Sequence, residues 1–144
     1  MTLRISARLR QAPLLALAAC ATLNQPAAPP NGTLLASEPI RITTAYDEQS
    51  ELTRFRFPRD VYERAANDDR FAATRITYAS DGLCITGLLV QPRQRPPRPL
   101  PAILYCRGGT ADFGALDESD LVTFHAWAEL GFVVLASNYR GGGG

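Results

Sequence analysis

The chain has 144 residues, 46 % of them apolar and 20 % charged, which fits one globular domain of ordinary size and excludes a wholly disordered chain. Its formal charge of +1 excludes a global field that would recruit nucleic acid, so no nucleic-acid partner is expected. The fifteen basic residues are all arginine. Within these residues a Schiff-base lysine, a phosphate-loop lysine and a Ser–Lys pair are therefore excluded.

Arg4, Arg8 and Arg10 form a positive leader, followed by a short apolar run, Ala12 to Ala19. The run is too short to span a bilayer as a helix, and with its charged flank it reads as a processed export signal over residues 1–19. Leu17-Ala18-Ala19-Cys20 resembles the bacterial lipobox, which implies lipidation of Cys20 after cleavage. Several acyl chains on one cysteine give stable anchoring. The expected location is thus the periplasmic or cell-surface side of a bacterial membrane. Residues 20–38, with the Pro- and Ala-rich stretch Thr22 to Ser37, read as a flexible tether.

Residues 39–74 read as an N-terminal arm. Ile40 and Ile42 alternate with Arg41 and Thr43, predicting a short edge strand over Pro39 to Ala45. Phe57 to Ala65 predicts a helix with Pro58 in its first turn, ending at Asn67-Asp68-Asp69. Arg75 to Ala79 and Leu83 to Val90 predict two strands. Asp81-Gly82 between them is a strong hairpin cue, because both central residues of a type I′ turn need positive φ. Gln91 to Pro101, with five prolines and three arginines, reads as a solvated connector.

Ala102 to Cys106 is a continuous apolar run that predicts a strand buried on both faces. Asp117 to Asp120 place acidic and capping residues at a helix start. Leu121, Phe124 and Ala128 form the helix's apolar stripe, and Gly131 stops it. Phe132 to Ser137 is a second apolar strand. Strand, helix, strand predicts a parallel βαβ unit. Residues 75–144 are thus expected to be an α/β domain in which an antiparallel hairpin precedes a parallel pair.

The loop after a parallel strand opens at the carboxyl end of a sheet, where ligands bind in open α/β folds. Gly108 and Gly109 occupy that loop and are oxyanion-hole candidates, since glycine lets backbone N–H groups approach a carbonyl closely. The plain alternative is a tight strand-to-loop turn. Arg107 is a candidate to pair with a substrate carboxylate, or else to be braced by an acidic loop residue such as Asp112. Cys84 and Cys106 fall on separate predicted strands. Both are expected to be buried free thiols. No residue set predicts a metal site, and no cofactor is expected.

Tyr78 to Leu83 and Ile85 to Pro92, then Pro101 to Gly109, then Trp127 to Leu135 with Asn138 to Gly141, resemble in order three motif segments of the prolyl oligopeptidase family catalytic domain. Arg107 stands where that family's HGGP motif most often has His. The resemblance covers residues 75–144. Its strand order implies that the strand of Val133 separates those of Cys84 and Cys106, which puts the two thiols roughly 9–10 Å apart, beyond disulfide reach. It implies an incomplete α/β-hydrolase sheet, an oxyanion loop at Gly108 and Gly109, and hydrolysis of peptides or small esters and amides by the full-length protein.

In that fold the nucleophile sits in a G-x-S-x-G elbow, followed in chain order by Asp and then His. No such elbow occurs in these residues, so no catalytic residue is assigned. His125, the one histidine, lies in the predicted crossover helix and reads as a helix-face residue. Ser80 and Asp81 read as turn residues. The expectation is an N-terminal fragment of a serine hydrolase. The alternatives are an esterase of the same fold, or a non-catalytic membrane-anchored lipoprotein with a binding role. A gene that ended at Gly144 would leave the strand of Phe132 to Ser137 as an exposed apolar edge, so a longer product is expected.

Overall fold

The computed structural model describes residues 27–94, 96–109 and 113–140. The export signal, Cys20, Asp112 and Gly141 to Gly144 lie outside them. The described chain is a mixed α/β unit. Its five strands are β1 (Leu34–Ile40), β2 (Phe71–Ser80), β3 (Leu83–Pro92), β4 (Ala102–Cys106) and β5 (Val133–Ser137). Its helices are α1 (Glu51–Arg56), α2 (Arg59–Asn67) and α3 (Asp120–Glu129).

The sheet order is β1-β2-β3-β5-β4. β1, β2 and β3 pair antiparallel, β5 runs antiparallel to β3, and β4 and β5 are the parallel pair joined through α3. The β2–β3 turn has φ of 49° at Asp81 and 76° at Gly82, the positive values the Asp-Gly pair was expected to supply.

Four boundaries differ from the sequence reading. The edge strand begins at Leu34 rather than Pro39, so residues 34–38 are sheet and not tether. Its register runs from Leu34 opposite Tyr78 to Ile40 opposite Ala73. β2 begins at Phe71, because Phe71, Ala72 and Ala73 pair with Pro92, Gln91 and Val90. The arm's last residues thus belong to the sheet. A helix not foreseen, α1, starts after Ser50, whose side chain accepts from the Thr53 amide at 3.1 Å. α2 starts after Pro58, whose carbonyl accepts from Val61 and Tyr62.

The core lies between the sheet and its helices. Leu88 and Val90 of β3 and Val134 and Ala136 of β5 pack against Leu121, Val122, Phe124 and Ala128 of α3, with Tyr62 and Ala65 of α2 closing the flank. β4 was expected to be buried on both faces, and it is not. It is the sheet's edge, and its residues alternate between exposed and half-buried, with Leu104 66 % exposed. β5 lies between β3 and β4, the order that sets Cys84 and Cys106 two strands apart. An apolar run is buried on both faces only if something lies against both, and the sequence pattern does not say so.

Candidate functional site

The loop between β4 and α3 is organised around Arg107. Its side chain is only 1 % exposed. Nη1 donates to the carbonyls of Gly108 at 3.2 Å and Phe113 at 2.7 Å. The guanidinium also lies 5.0 Å from the centre of the Tyr139 ring, a cation–π contact. The side chain is thus turned toward its own loop, where one guanidinium nitrogen, Nη1, donates to two backbone carbonyls.

This fold-back dictates the glycines. Gly109 has φ of +90°, and a Cβ there would lie 2.1 Å from the Phe113 carbonyl oxygen. Gly114 has φ of +76°, and its Cβ would lie 2.8 Å from the Gly108 oxygen. Side chains are excluded at both positions on conformational and steric grounds. A Cβ at Gly108 would meet nothing within 4 Å, so of the predicted pair only Gly109 is demanded by the loop itself. In a trans peptide the N–H lies opposite the preceding C=O. Turning the carbonyls of Gly108 and Phe113 onto Arg107 thus turns the amides of Gly109 and Gly114 away from it.

Those two glycines border a cleft of about 500 Å³, which Gly108, Phe113, Tyr105, Asp117 and Asp120 also line. α1 forms its far wall through Leu52 and Arg56. The arm is thus part of the cleft. Burial pushes the Asp120 carboxyl above its ordinary range. The Asp117 amide opposes this, the Asp117 charge reinforces it and Arg56 offsets it. Asp120 also accepts from the Asp117 amide at 3.1 Å, and Asp117 accepts from the Ser119 amide at 2.7 Å. These bonds brace the turn that leads into the helix, while Ser119 makes no side-chain cap of its own.

Two residues that position the site were not singled out from sequence. Glu118, expected to complement the helix dipole, reaches across to the arm. It accepts from the Thr43 amide at 3.1 Å, the Thr43 hydroxyl at 2.9 Å, the Thr44 amide at 3.1 Å and the Thr44 hydroxyl. Buried Asn138, just past β5, accepts from the Leu116 amide at 3.1 Å and donates to the Thr86 hydroxyl at 2.9 Å. It ties the loop before α3 to the sheet. The acidic run and the position of Asn138 after an apolar strand were visible signals; their partners were not.

His125 lies on the inner side of α3 and is 7 % exposed. Its ring meets Phe71 edge-on at 5.7 Å, and burial lowers its pKa from the ordinary value. It is remote from the glycine loop and lines a different cavity. Cys84 and Cys106 are free, as expected from the strand order, but both are exposed rather than buried. Cys84 is close to the hairpin turn and Cys106 is on the edge strand. Among the described residues no group of three His, Cys, Asp or Glu side chains is placed to hold a metal ion, and no helix is long and apolar enough to cross a membrane.

Comparison with family models, curated proteins and solved structures finds no match to this chain.

Proposed function

We propose that this chain supplies the first strands and the oxyanion loop of a hydrolase that works by acyl transfer on an α/β sheet. The observation that carries this reading is the loop after β4. A buried Arg107 gathers its carbonyls, and Gly109 and Gly114, whose amides are thereby turned away from it, border an open cleft. Backbone donors preset in this way suit the charge that develops on a carbonyl oxygen, and one such donor contributes about 3–4 kcal/mol to acyl transfer.

The motif order of residues 75–144, together with the hairpin and the parallel β4–β5 pair, favours the prolyl oligopeptidase type within that class. The substrates would be peptides or small esters and amides. Nucleophile, acid and histidine would come from sequence other than these 144 residues, and Cys20 would carry the lipid anchor on the outer side of a bacterial membrane.

The test is to sequence the coding DNA past the Gly144 codon and to treat the encoded product with a fluorophosphonate, which labels an activated serine. An open frame with G-x-S-x-G, then Asp, then His, and a labelled product, is expected. The 144-residue chain alone should stay unlabelled. An in-frame stop directly after Gly144 would overturn the hydrolase reading and favour a binding role for the cleft.

A further inference from the structure

Three regions of the molecule are not used by the glycine loop. They are the half-covered outer face of the sheet, the apolar hollow under the Pro-rich connector, and the junction where α2, α3 and the start of β2 meet around His125. The junction carries an inference, because it holds a buried titratable group whose surroundings are defined on every side.

His125 is more than nine-tenths buried, and its Nδ1 has no hydrogen-bond partner among the described residues. It lines a cavity of about 40 Å³ with Val61, Arg64, Ala65 and Asp68 of the arm and Glu129 of its own helix. On another side it borders a smaller void beside Arg41 and Arg93. Two carboxylates, Asp68 and Glu129, face it, and both are already engaged. Arg70 Nη2 lies 2.7 Å from Asp68 Oδ2 and 2.5 Å from Glu129 Oε1. An imidazolium formed here would have to share Asp68 and Glu129 with Arg70, with Arg41, Arg64 and Arg93 also around it. A buried charge without a partner of its own is expelled or pulls water in.

We propose that His125 is an acid-release latch for the N-terminal arm: protonating its imidazole loosens α2 from α3 and so withdraws α1 from the wall of the glycine-loop cleft. α2 packs on α3 through Tyr62 and Ala65, and α1 precedes it in the chain with only Phe57 and Pro58 between. The latch acts on the arm whether or not the cleft belongs to a hydrolase.

The sign follows from linkage. Burial is the largest cause holding the folded-state pKa below the ordinary value; Asp68 and Glu129 oppose it and Arg70 assists it. The arm-open state, with a solvated imidazole, binds the proton more readily. The closed arm is fully favoured above the ordinary imidazole value of about 6.5. It loses ground as pH falls below that value, by about tenfold in the open-to-closed ratio per pH unit, until the folded-state pKa is passed.

The full chain has one histidine, so its imidazole Hε1 is a single assigned line in a proton NMR titration. Amide exchange of α2 and of β5, corrected for intrinsic pH dependence, is followed over pH 7.5 to 5. The expected result is a His125 midpoint below that of a free imidazole. Protection should fall about tenfold per pH unit in α2 at Tyr62 and Ala65 while β5 at Val134 is unchanged. His125→Phe, which keeps an aromatic ring against Phe71, should show no acid loss in α2. A midpoint at or above the ordinary value, α2 protection that does not change across this range, or an acid response retained in His125→Phe would each overturn the proposal. If His125→Phe does not fold, the wild-type midpoint and exchange profile decide alone.

Discussion

Replacing Glu118 by Ala tests how firmly the arm is tied to the domain. The carboxylate accepts four hydrogen bonds, two from Thr43 and two from Thr44. The Thr43 pair is solvent-exposed, so water replaces it at little net cost. The Thr44 pair is partly buried, and a hydrogen bond to a charged group contributes about 1.5–3 kcal/mol. Allowing for non-additivity within one carboxylate, the expected loss is about 2–3 kcal/mol. At a urea slope of about 2 kcal/mol per molar, the unfolding midpoint should fall by about 1–1.5 M. Glu118→Gln retains one carbonyl acceptor and should lose about half as much.

The same substitution has a pH signature. Burial works to raise the Glu118 pKa, but the bonds from Thr44 and Thr43 outweigh it and hold the carboxyl below its usual range. A depressed carboxylate contributes stability that is present above its unfolded value, about 4.3, and is lost as pH falls through the folded value. Wild type minus Glu118→Ala should therefore be constant from pH 7 to 5 and shrink below pH 4.5. Loss of less than 0.5 kcal/mol in both variants, roughly the level of a neutral surface change, or a difference that grows in acid, would refute the reasoning.

Two further predictions concern the sheet and the loop. In Gly87→Ala the new Cβ would fall 2.4 Å from the Ala136 carbonyl oxygen, prising β3 from β5. A loss of about 3 kcal/mol is expected in thermal unfolding, and a loss under 1 kcal/mol would show that the strands yield easily. Arg107→Met leaves the Gly108 and Phe113 carbonyls without the donor that gathers them, at a cost of about 2–3 kcal/mol. Limited chymotrypsin digestion after exposed Phe113 should speed up several-fold, and Arg107→Lys, a point charge without the fork, should recover only part of the protection. Full protection in Arg107→Lys would mean that charge alone, not the planar donor set, holds the loop.

What the sequence determined by itself is local. A two-residue hairpin turn needs positive φ, which Asp81-Gly82 supplies at little cost, so the hairpin was legible. Two apolar runs flanking a helix make a parallel pair on grounds of handedness and chain length, and β4 and β5 are that pair. Gly131, with φ of +94°, ends α3 for the same local reason.

Tertiary structure decided which of these pieces lie against one another. Ala102 to Cys106 reads as doubly buried, yet it is the edge strand, because burial belongs to the neighbours and not to the strand. Leu34 to Glu38 carries no strand pattern strong enough to stand out, yet it pairs because β2 offers it an edge. Arg107 could equally have met a ligand or its own loop. Its long side chain has many rotamers, and the carbonyls of Gly108 and Phe113 that select among them converge only once the loop has folded back. Local φ preferences act within a few residues and can be read from the chain. A side chain's partner tens of residues away exists only after the packing that brings it near.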